Sequence, residues 1–481
     1  MKIIKNYLYN AFYQIFVLLV PLVTIPYLAR VLGPTGVGIN SYTNSIMQYF
    51  IVFGSIGVDL YGNRQVAFVR NDPKKLTKTF FEIFFMRLIT IVLSYLAFAI
   101  FLVINDSYQI YYLAQSVSLI AAAFDISWFF MGLEDFFVTV ARNILIKLIT
   151  LISIFIFVKS YHDLNLYILI LSMSMLFGNL IMFPSLKKYL VKIDLHELSM
   201  KKHIKPSLVL FLPQVATQVY GVLNKTMLGI MVSVEATGYF DQSDKMVKMA
   251  LAIVTATGTV MLPHVASAFS KGQVEKTKYY LYQSFQFVTA IAIPIMMGLM
   301  AVTAKFVTLF FTKSFLPVIP IMLIESVVIM LIAWSNVLGI QYLIPTKQMK
   351  TYTISIVIGA VVNILFNIPL ILKWGAVGAT TSTVLAELAI TCYQLFSVRK
   401  QIQYKKLFWD LPKYLIAGGL MFETIFELDR VLPGTWKMLI VEIALGIILY
   451  VVLLIIFKVK IIDDFKSMIN GKGSKEYETY K

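Results

Sequence analysis

Apolar runs long enough to cross a lipid bilayer recur along almost the whole chain, and they leave room for little else. A helix needs about 20 apolar residues to span the hydrocarbon core. About fourteen runs reach that length, near 9–30, 39–61, 80–104, 110–131, 142–158, 164–184, 207–231, 239–268, 281–304, 317–342, 352–372, 376–397, 411–427 and 436–457. Together they would use about 280 residues, in keeping with a hydrophobic fraction of 59% in 481 residues. The expected fold is all-α: a polytopic membrane protein of about 14 transmembrane helices. A secreted disulfide scaffold, a disordered chain and a cytosolic enzyme are excluded. The single cysteine, Cys392, cannot form an intramolecular disulfide, and His162, His196, His203 and His264 show no metal-ligand spacing. The first run follows Lys2 and Lys5 as a signal peptide would. It is too long, and Tyr27-Leu28-Ala29-Arg30 offers no cleavage site, so it reads as a retained span.

Loop charge predicts the orientation. The net charge is +17, and cytoplasmic loops collect Lys and Arg. With the N-terminus inside, the inside segments are 1–8, 62–79, 132–141, 185–206, 269–280, 343–351, 398–410 and 458–481. About 30 basic residues fall in or beside them and about 7 outside. Both termini are therefore expected in the cytoplasm. The excess charge is mostly topology and does not point to nucleic acid.

The long basic segment divides the chain after six spans. The expected organisation is an N-terminal lobe at 1–184, a basic cytoplasmic linker at 185–206, a C-terminal lobe at 207–398, two further spans at 399–457 and a basic tail at 458–481. Halves of six spans would be related by an axis along the membrane normal. At an offset of 200, Lys2, Lys5, Leu8, Gln14, Leu28 and Gly38 fall on Lys202, Lys205, Leu208, Gln214, Leu228 and Gly238, little above chance for this composition. The polar pattern is more informative. Ser41, Asn44, Ser45 and Gln48 occupy one helical face, and at the same offset stand Asp241, Asp244, Lys245 and Lys248. Such a stripe is costly against lipid and should face a bundle interior or water. Alternatively, Asp241–Lys245 and Asp244–Lys248 are i,i+4 pairs that neutralise one another.

Ionisable residues inside spans cost roughly 2.5–3.5 kcal/mol each on insertion scales, so they mark partners or cavities. Arg30 follows the Pro21 and Pro26 pair and either faces a cavity or snorkels. Lys225 lies too deep in its span to snorkel easily. Lys147 is close enough to an end to do so. Arg87 is expected to pair with Glu82 or to snorkel. Asp125 and Glu325 read as isolated in apolar surroundings, suited either to carry a proton or to partner a buried lysine. Glu423 and Glu442 read as structural. Pro21, Pro26, Pro213, Pro294, Pro320 and Pro369 are expected to interrupt their spans.

Catalytic chemistry finds no motif. Gly33-Pro34-Thr35-Gly36-Val37-Gly38 lacks the strand, lysine and spacing of a phosphate loop and reads as a tight external turn. Gly471-Lys472-Gly473-Ser474 fails the same test. No HExxH, CxxC or nucleophile elbow occurs, and no loop could house a nucleotide-binding domain. No cofactor and no metal are expected, and the chain reads as a transporter instead of an enzyme.

The stretch Pro21-Leu22-Val23-Thr24-Ile25-Pro26-Tyr27-Leu28-Ala29-Arg30-Val31-Leu32-Gly33-Pro34, continuing through Gly36, Gly38, Ser41 and Tyr42, resembles the opening of bacterial polysaccharide repeat-unit flippases of the Wzx type. So does Trp128-Phe129-Phe130-Met131-Gly132-Leu133-Glu134. Phe211-Leu212-Pro213-Gln214, Asn224-Lys225-Thr226-Met227-Leu228-Gly229, Gly238-Tyr239-Phe240-Asp241-Gln242 and Gly258-Thr259-Val260-Met261-Leu262-Pro263 look like the family's second-half signatures. The family belongs to the multidrug/oligosaccharidyl-lipid/polysaccharide exporter superfamily. The resemblance implies two six-helix lobes around a central cavity plus two C-terminal helices. It also implies alternating access that moves an undecaprenyl-diphosphate-linked oligosaccharide from the cytoplasmic to the outer leaflet, for capsule or other cell-surface polysaccharide.

With that substrate, Arg30, Lys225, Lys245 and Lys248 are the expected diphosphate contacts, since Arg and Lys suit phosphate. Ser41, Asn44, Gln48 and Gln214 are the expected glycan contacts. Asp125, Asp241, Asp244 and Glu325 are candidates for ion coupling. The expected partners are the polyprenyl-diphosphate-linked oligosaccharide, membrane lipids and a polysaccharide polymerase, with no nucleic acid. The expected location is a bacterial plasma membrane. Two other readings stay open. One is an ion-coupled multidrug exporter of the same fold, which would want acidic cavity residues. The other is a membrane glycan polymerase or ligase, which would use external charges such as Lys305, Lys313 and Arg430.

Overall fold

The computed structural model describes residues 2–462 except 195, 197 and 257, and their side chains except those of 2–18, 212–214, 216–220 and 258–260. Among the described residues every regular element is helical. The first compact unit, Met1–Gly238, contains α1 (Lys2–Ser55), α2 (Val58–Val69), α3 (Pro73–Ile104), α4 (Gln109–Ala123), α5 (Ser127–Gly132), α6 (Phe136–Phe157), α7 (Leu164–Leu180) and α8 (Lys201–Met231). The second unit, Tyr239–Lys481, takes most of α9 (Val234–Thr255). It continues with α10 (Gly258–Ser270), α11 (Val274–Phe310), α12 (Val318–Glu325), α13 (Val327–Leu338), α14 (Met349–Trp374) and α15 (Ala376–Val398). It ends with α16 (Tyr404–Leu407), α17 (Leu411–Val431) and α18 (Trp436–Ile456). Nine helical stretches among the described residues are long and apolar enough to cross a membrane. The chain is a multi-pass membrane protein. The units divide after Gly238, one helix later than the basic 185–206 segment, because α8 packs on α1, α2 and α3.

Most of the prolines expected to interrupt spans leave their helices continuous. Pro21, Pro26 and Pro34 lie inside α1, Pro294 inside α11 and Pro369 inside α14. Pro320 sits in the first turn of α12, where a missing N–H leaves no bond unmade. Pro213 lies outside the described side chains. The Gly33–Gly38 stretch is not a loop: helix continues on both sides, and only Gly33 leaves helical geometry, at φ 64° and ψ −178°. That backbone is open to glycine and closed to most L-residues, so one helix ends at Leu32 and a second starts at Pro34, with the tight turn confined to Gly33.

Other expected spans are split. The second parts between α1 and α2, where Ile56 and Gly57 have φ of 38° and 72°. The fourth parts between α4 and α5 at residues 124–126. The eighth is two helices, α9 and α10. The tenth carries a π-helical turn at Gly339–Leu343, the kind of distortion often found at functional sites. Broken backbone at membrane depth is tolerated only where protein or water covers it.

Packing in the first unit centres on the aromatic run of α5. Trp128, Phe129 and Phe130 are fully buried, and Phe80 of α3 lies 5.8 Å from Trp128 and 5.0 Å from Phe129, ring centre to ring centre. In lipid, close packing replaces the hydrophobic effect as the force between helices. Gly38 shows how close that packing becomes: a Cβ there would fall 2.0 Å from the Val234 carbonyl oxygen. Beside it the Thr35 hydroxyl donates to Glu235 Oε1 at 2.9 Å. In the second unit α11, α17 and α18 share a core that includes Ile293, Ala417, Met421, Ile425 and Tyr450.

Candidate charge sites in the two units

The two helix breaks of the first unit converge on Arg87. Its guanidinium, on α3, is 2% exposed. Nη1 donates to Asp59 Oδ1 at 2.6 Å, and Nη2 lies 3.9 Å from Asp125 Oδ2. Asp59 opens α2 immediately after one break, and Asp125 stands in the other. Asp125 Oδ1 also accepts the Ser127 N–H at 2.9 Å, a local turn of the kind aspartate favours, just before the helix restarts. A cavity of about 180 Å³ adjoins the cluster, lined by Gln48, Ser55, Asp59, Arg87, Asp125 and Phe211 among others. The breaks make room for these charges, and the charges compensate the interrupted backbone.

Two expectations are corrected here. Arg87 pairs with Asp59, not with Glu82, because α2 restarts against α3 and brings Asp59 within reach. Asp125 is not isolated, because Arg87 lies beside it. Glu82 is fully buried and has partners of its own. It accepts from the Ser199 N–H at 2.8 Å and from Lys202 Nζ at 2.7 Å, and it lies 2.9 Å from His203 Nε2. His203 Nδ1 in turn faces the Tyr61 hydroxyl at 2.7 Å. Burial pushes the His203 imidazole below its usual value, against the opposing pull of Glu82. This cluster fastens the start of α8 to α2 and α3.

The polar stripe of α1 divides in two. Ser41 and Ser45 are buried, and Ser45 Oγ bonds Thr226 Oγ1 on α8 at 2.9 Å. Asn44 is exposed and accepts from Gln48 Nε2 at 3.2 Å. Arg30 is exposed, and its Nη1 donates to the Pro26 carbonyl at 2.7 Å. Lys225 is half-buried on α8, between buried Asn224 and Thr226. Gln214 lies outside the described side chains.

In the second unit, Lys245 Nζ lies 2.5 Å from Asp241 and Lys248 Nζ lies 2.7 Å from Asp244. The i,i+4 pairing anticipated from the spacing is thus present. Glu325 is not isolated either: the Ser243 hydroxyl donates to its carboxylate. A cluster absent from the sequence reading joins α11, α17 and α18. Lys305 is 6% exposed, lies 2.5 Å from Glu442 Oε1 and lies 3.4 Å from Asp429 Oδ1. Expected as an external loop charge, Lys305 is instead buried in the last turns of α11. Burial is the main cause that holds the Asp429 carboxyl above the usual range; Lys305 opposes the rise and Glu442 adds to it. Only the order in which the helices pack reveals this cluster, since Lys305 and Glu442 are 137 residues apart.

Among the described residues no group of three or more His, Cys, Asp or Glu side chains could hold a metal ion. Both three-residue clusters can hold or exchange charge across helices.

Comparison with known proteins places this geometry in a family. The profile of the family described as "Polysaccharide biosynthesis protein" matches residues 3–269. A protein of Escherichia coli (strain K12) named as an O-antigen transporter is 22% identical over 400 residues, covering 82% of this chain and 96% of that one. A protein of Haloferax volcanii named as a low-salt glycan biosynthesis flippase is 20% identical over 262 residues, covering 52% of this chain and 53% of that one. Among solved structures, the lipid II flippase MurJ in an inward closed conformation superposes with a TM-score of 0.75 at 18% identity, over 95% of this chain and 100% of that one. A multidrug resistance MATE family transporter in an inward-facing conformation gives 0.64 at 12% identity, over 79% and 94%. The fold is thus that of the MurJ and MATE transporters, and the chain belongs to the polysaccharide biosynthesis protein family.

Proposed function

We propose that this protein is a flippase for a lipid-linked oligosaccharide, and more closely that it moves an undecaprenyl-diphosphate-linked repeat unit from the cytoplasmic to the outer leaflet by alternating access. The product would feed capsule or another cell-surface polysaccharide, with a polysaccharide polymerase as partner. The location would be a bacterial plasma membrane with both termini cytoplasmic, and the lobes would be 1–184 and 207–398, joined by 185–206 and followed by 399–457 and the tail 458–481.

The carrying observation is Arg87: a buried guanidinium at two helix breaks, beside a cavity with the amide of Gln48 and the hydroxyl of Ser55. Arg87 is proposed to fork onto phosphate oxygens only by leaving Asp59 and Asp125, while amides and hydroxyls bond glycan hydroxyls. Arg30 and Lys225 remain proposed diphosphate contacts. Lys245 and Lys248 are proposed to join them only by leaving Asp241 and Asp244. Ser41, Asn44, Gln48 and Gln214 remain proposed glycan contacts. Asp125, Asp241, Asp244 and Glu325 remain proposed for ion coupling.

Depleting the protein in its source organism and profiling lipids by mass spectrometry tests the reading. A complete polyprenyl-diphosphate oligosaccharide should accumulate. An unchanged lipid-linked pool with new drug sensitivity would favour the multidrug reading instead.

A further inference from the structure

Lys147 stands at the middle of α6. The helix starts at Phe136, ahead of the expected span, so Lys147 is not near an end but about 15 Å from both, too far to snorkel. It is half-buried, and among the described residues no hydrogen bond, ion pair or nearby carboxylate engages its ammonium.

The helix shows which way this charge faces. Leu145, Ile149, Ile152 and Ile156 are about half exposed and form the lipid side of α6. Lys147 lies on the opposite side, two turns from buried Val140 and two from buried Ile154. At the flanks of that side, Phe155 meets the Tyr27 ring of α1 at 4.5 Å, and Ile146 packs against Gly178 of α7. Lys147 therefore faces the first unit, between α1 and α7.

Asn143 and Thr150 share this side, one turn away in either direction. The Thr150 hydroxyl gives its hydrogen to the Ile146 carbonyl at 2.7 Å. The Asn143 amide makes no hydrogen bond among the described residues. Long helical side chains lean toward the helix start, which carries the ammonium toward that amide. Two donors, one of them charged, are thus left without an acceptor, and an uncompensated charge at membrane depth marks a partner or a pathway. Charged and neutral N–H groups together suit an oxyanion.

We propose that Lys147 and Asn143 form an anion subsite that takes an oxyanion of the lipid-linked cargo. The inference rests on the flippase reading. Unlike Arg87, Lys245 and Lys248, Lys147 has no carboxylate to leave before it binds. The diphosphate and the carboxylate of an acidic sugar share this chemistry, and the test separates them.

The test is native mass spectrometry of the full chain released from detergent micelles with three lipids. They are polyprenyl diphosphate without sugar, with a neutral disaccharide and with a disaccharide carrying a uronic acid. Lys147→Met keeps the length of the side chain and removes its charge. With the diphosphate seated at Lys147, the variant should bind all three about tenfold more weakly than wild type. With the acidic sugar seated there, only the third should weaken. Lys147→Arg should keep most of the binding. Since no protein group depends on the ammonium, Lys147→Met should unfold at the wild-type temperature or above it. Equal binding of all three lipids by wild type and Lys147→Met would overturn the subsite and leave the flippase reading standing. A lowered unfolding temperature for Lys147→Met would also overturn it, because the charge would then have a structural partner. Wild type that binds none of the three would overturn both readings.

Discussion

Each unit buries one cation against two carboxylates, but the surroundings differ. Around Arg87 the helices are broken, a cavity adjoins the charges, and amide and hydroxyl groups line it. Around Lys305 the helices α11, α17 and α18 run unbroken, and the adjoining groove is hydrocarbon. A charge cluster in continuous helices is held by packing and mainly ties helices together. One at helix breaks has backbone that can rearrange, which suits a site that must take up and release a polar cargo. The same ingredients therefore suit the transport proposed for the first unit and cohesion in the second.

The largest effect should come from Lys305→Ala. It leaves two buried carboxylates without their cation and should cost about 3–5 kcal/mol, seen as lost accumulation and a lowered unfolding temperature in detergent. Pairing Lys305→Met with Glu442→Gln should recover much of that loss, because fewer charges then stay buried unpaired. If the double variant is no better than the single one, the cluster does not act through charge compensation.

Arg87→Lys should separate folding from transport. The charge is kept and the fork is lost, so the protein should accumulate while glycan export falls about tenfold or more. Export at the wild-type rate would move the transport site away from the helix breaks. Arg30→Ala and Lys225→Ala should each reduce export several-fold with normal insertion, measured on surface glycan per molecule of protein. If both export normally, their assignment to the diphosphate is wrong.

The smallest effect is one of pH. Burial raises the folded-state pKa of Asp429, so folding strengthens its hold on a proton. Its contribution to stability is complete below the ordinary carboxyl value of about 3.9 and is lost as pH rises through the folded-state value. Asp429→Asn cannot titrate. Over that window the wild type should lose stability relative to the variant, read as diverging unfolding temperatures. Parallel curves would place Asp429 outside the cluster's energetics.

These contrasts also mark what the sequence could disclose. The apolar runs announced a helical membrane protein because lipid imposes a length on each span. The Asp241–Lys245 and Asp244–Lys248 pairs were legible because both partners share one helical face. The breaks at Ile56–Gly57 and Phe124–Ile126 carry no proline and interrupt apolar sequence, so hydropathy runs straight through them. The prolines that did signal a break lie within helix, because neighbours in a bundle can compensate the lost bond. Arg87–Asp59 and Lys305–Glu442 join residues 28 and 137 positions apart. No local pattern encodes such pairs, which is why Arg87 read as a partner of Glu82 or a snorkelling charge and Lys305 as a loop charge.

The central claim is that the polar, broken region around Arg87 moves a lipid-linked glycan. The direct measurement is flipping in reconstituted vesicles, with a fluorescent polyprenyl-diphosphate oligosaccharide placed in one leaflet and the opposite leaflet sampled by a quencher. Wild-type protein should move the lipid faster than empty vesicles, and Arg87→Lys should slow it about tenfold. Movement no faster than in empty vesicles would contradict the flippase account. Equal rates for wild type and Arg87→Lys would contradict the assignment of transport to this site.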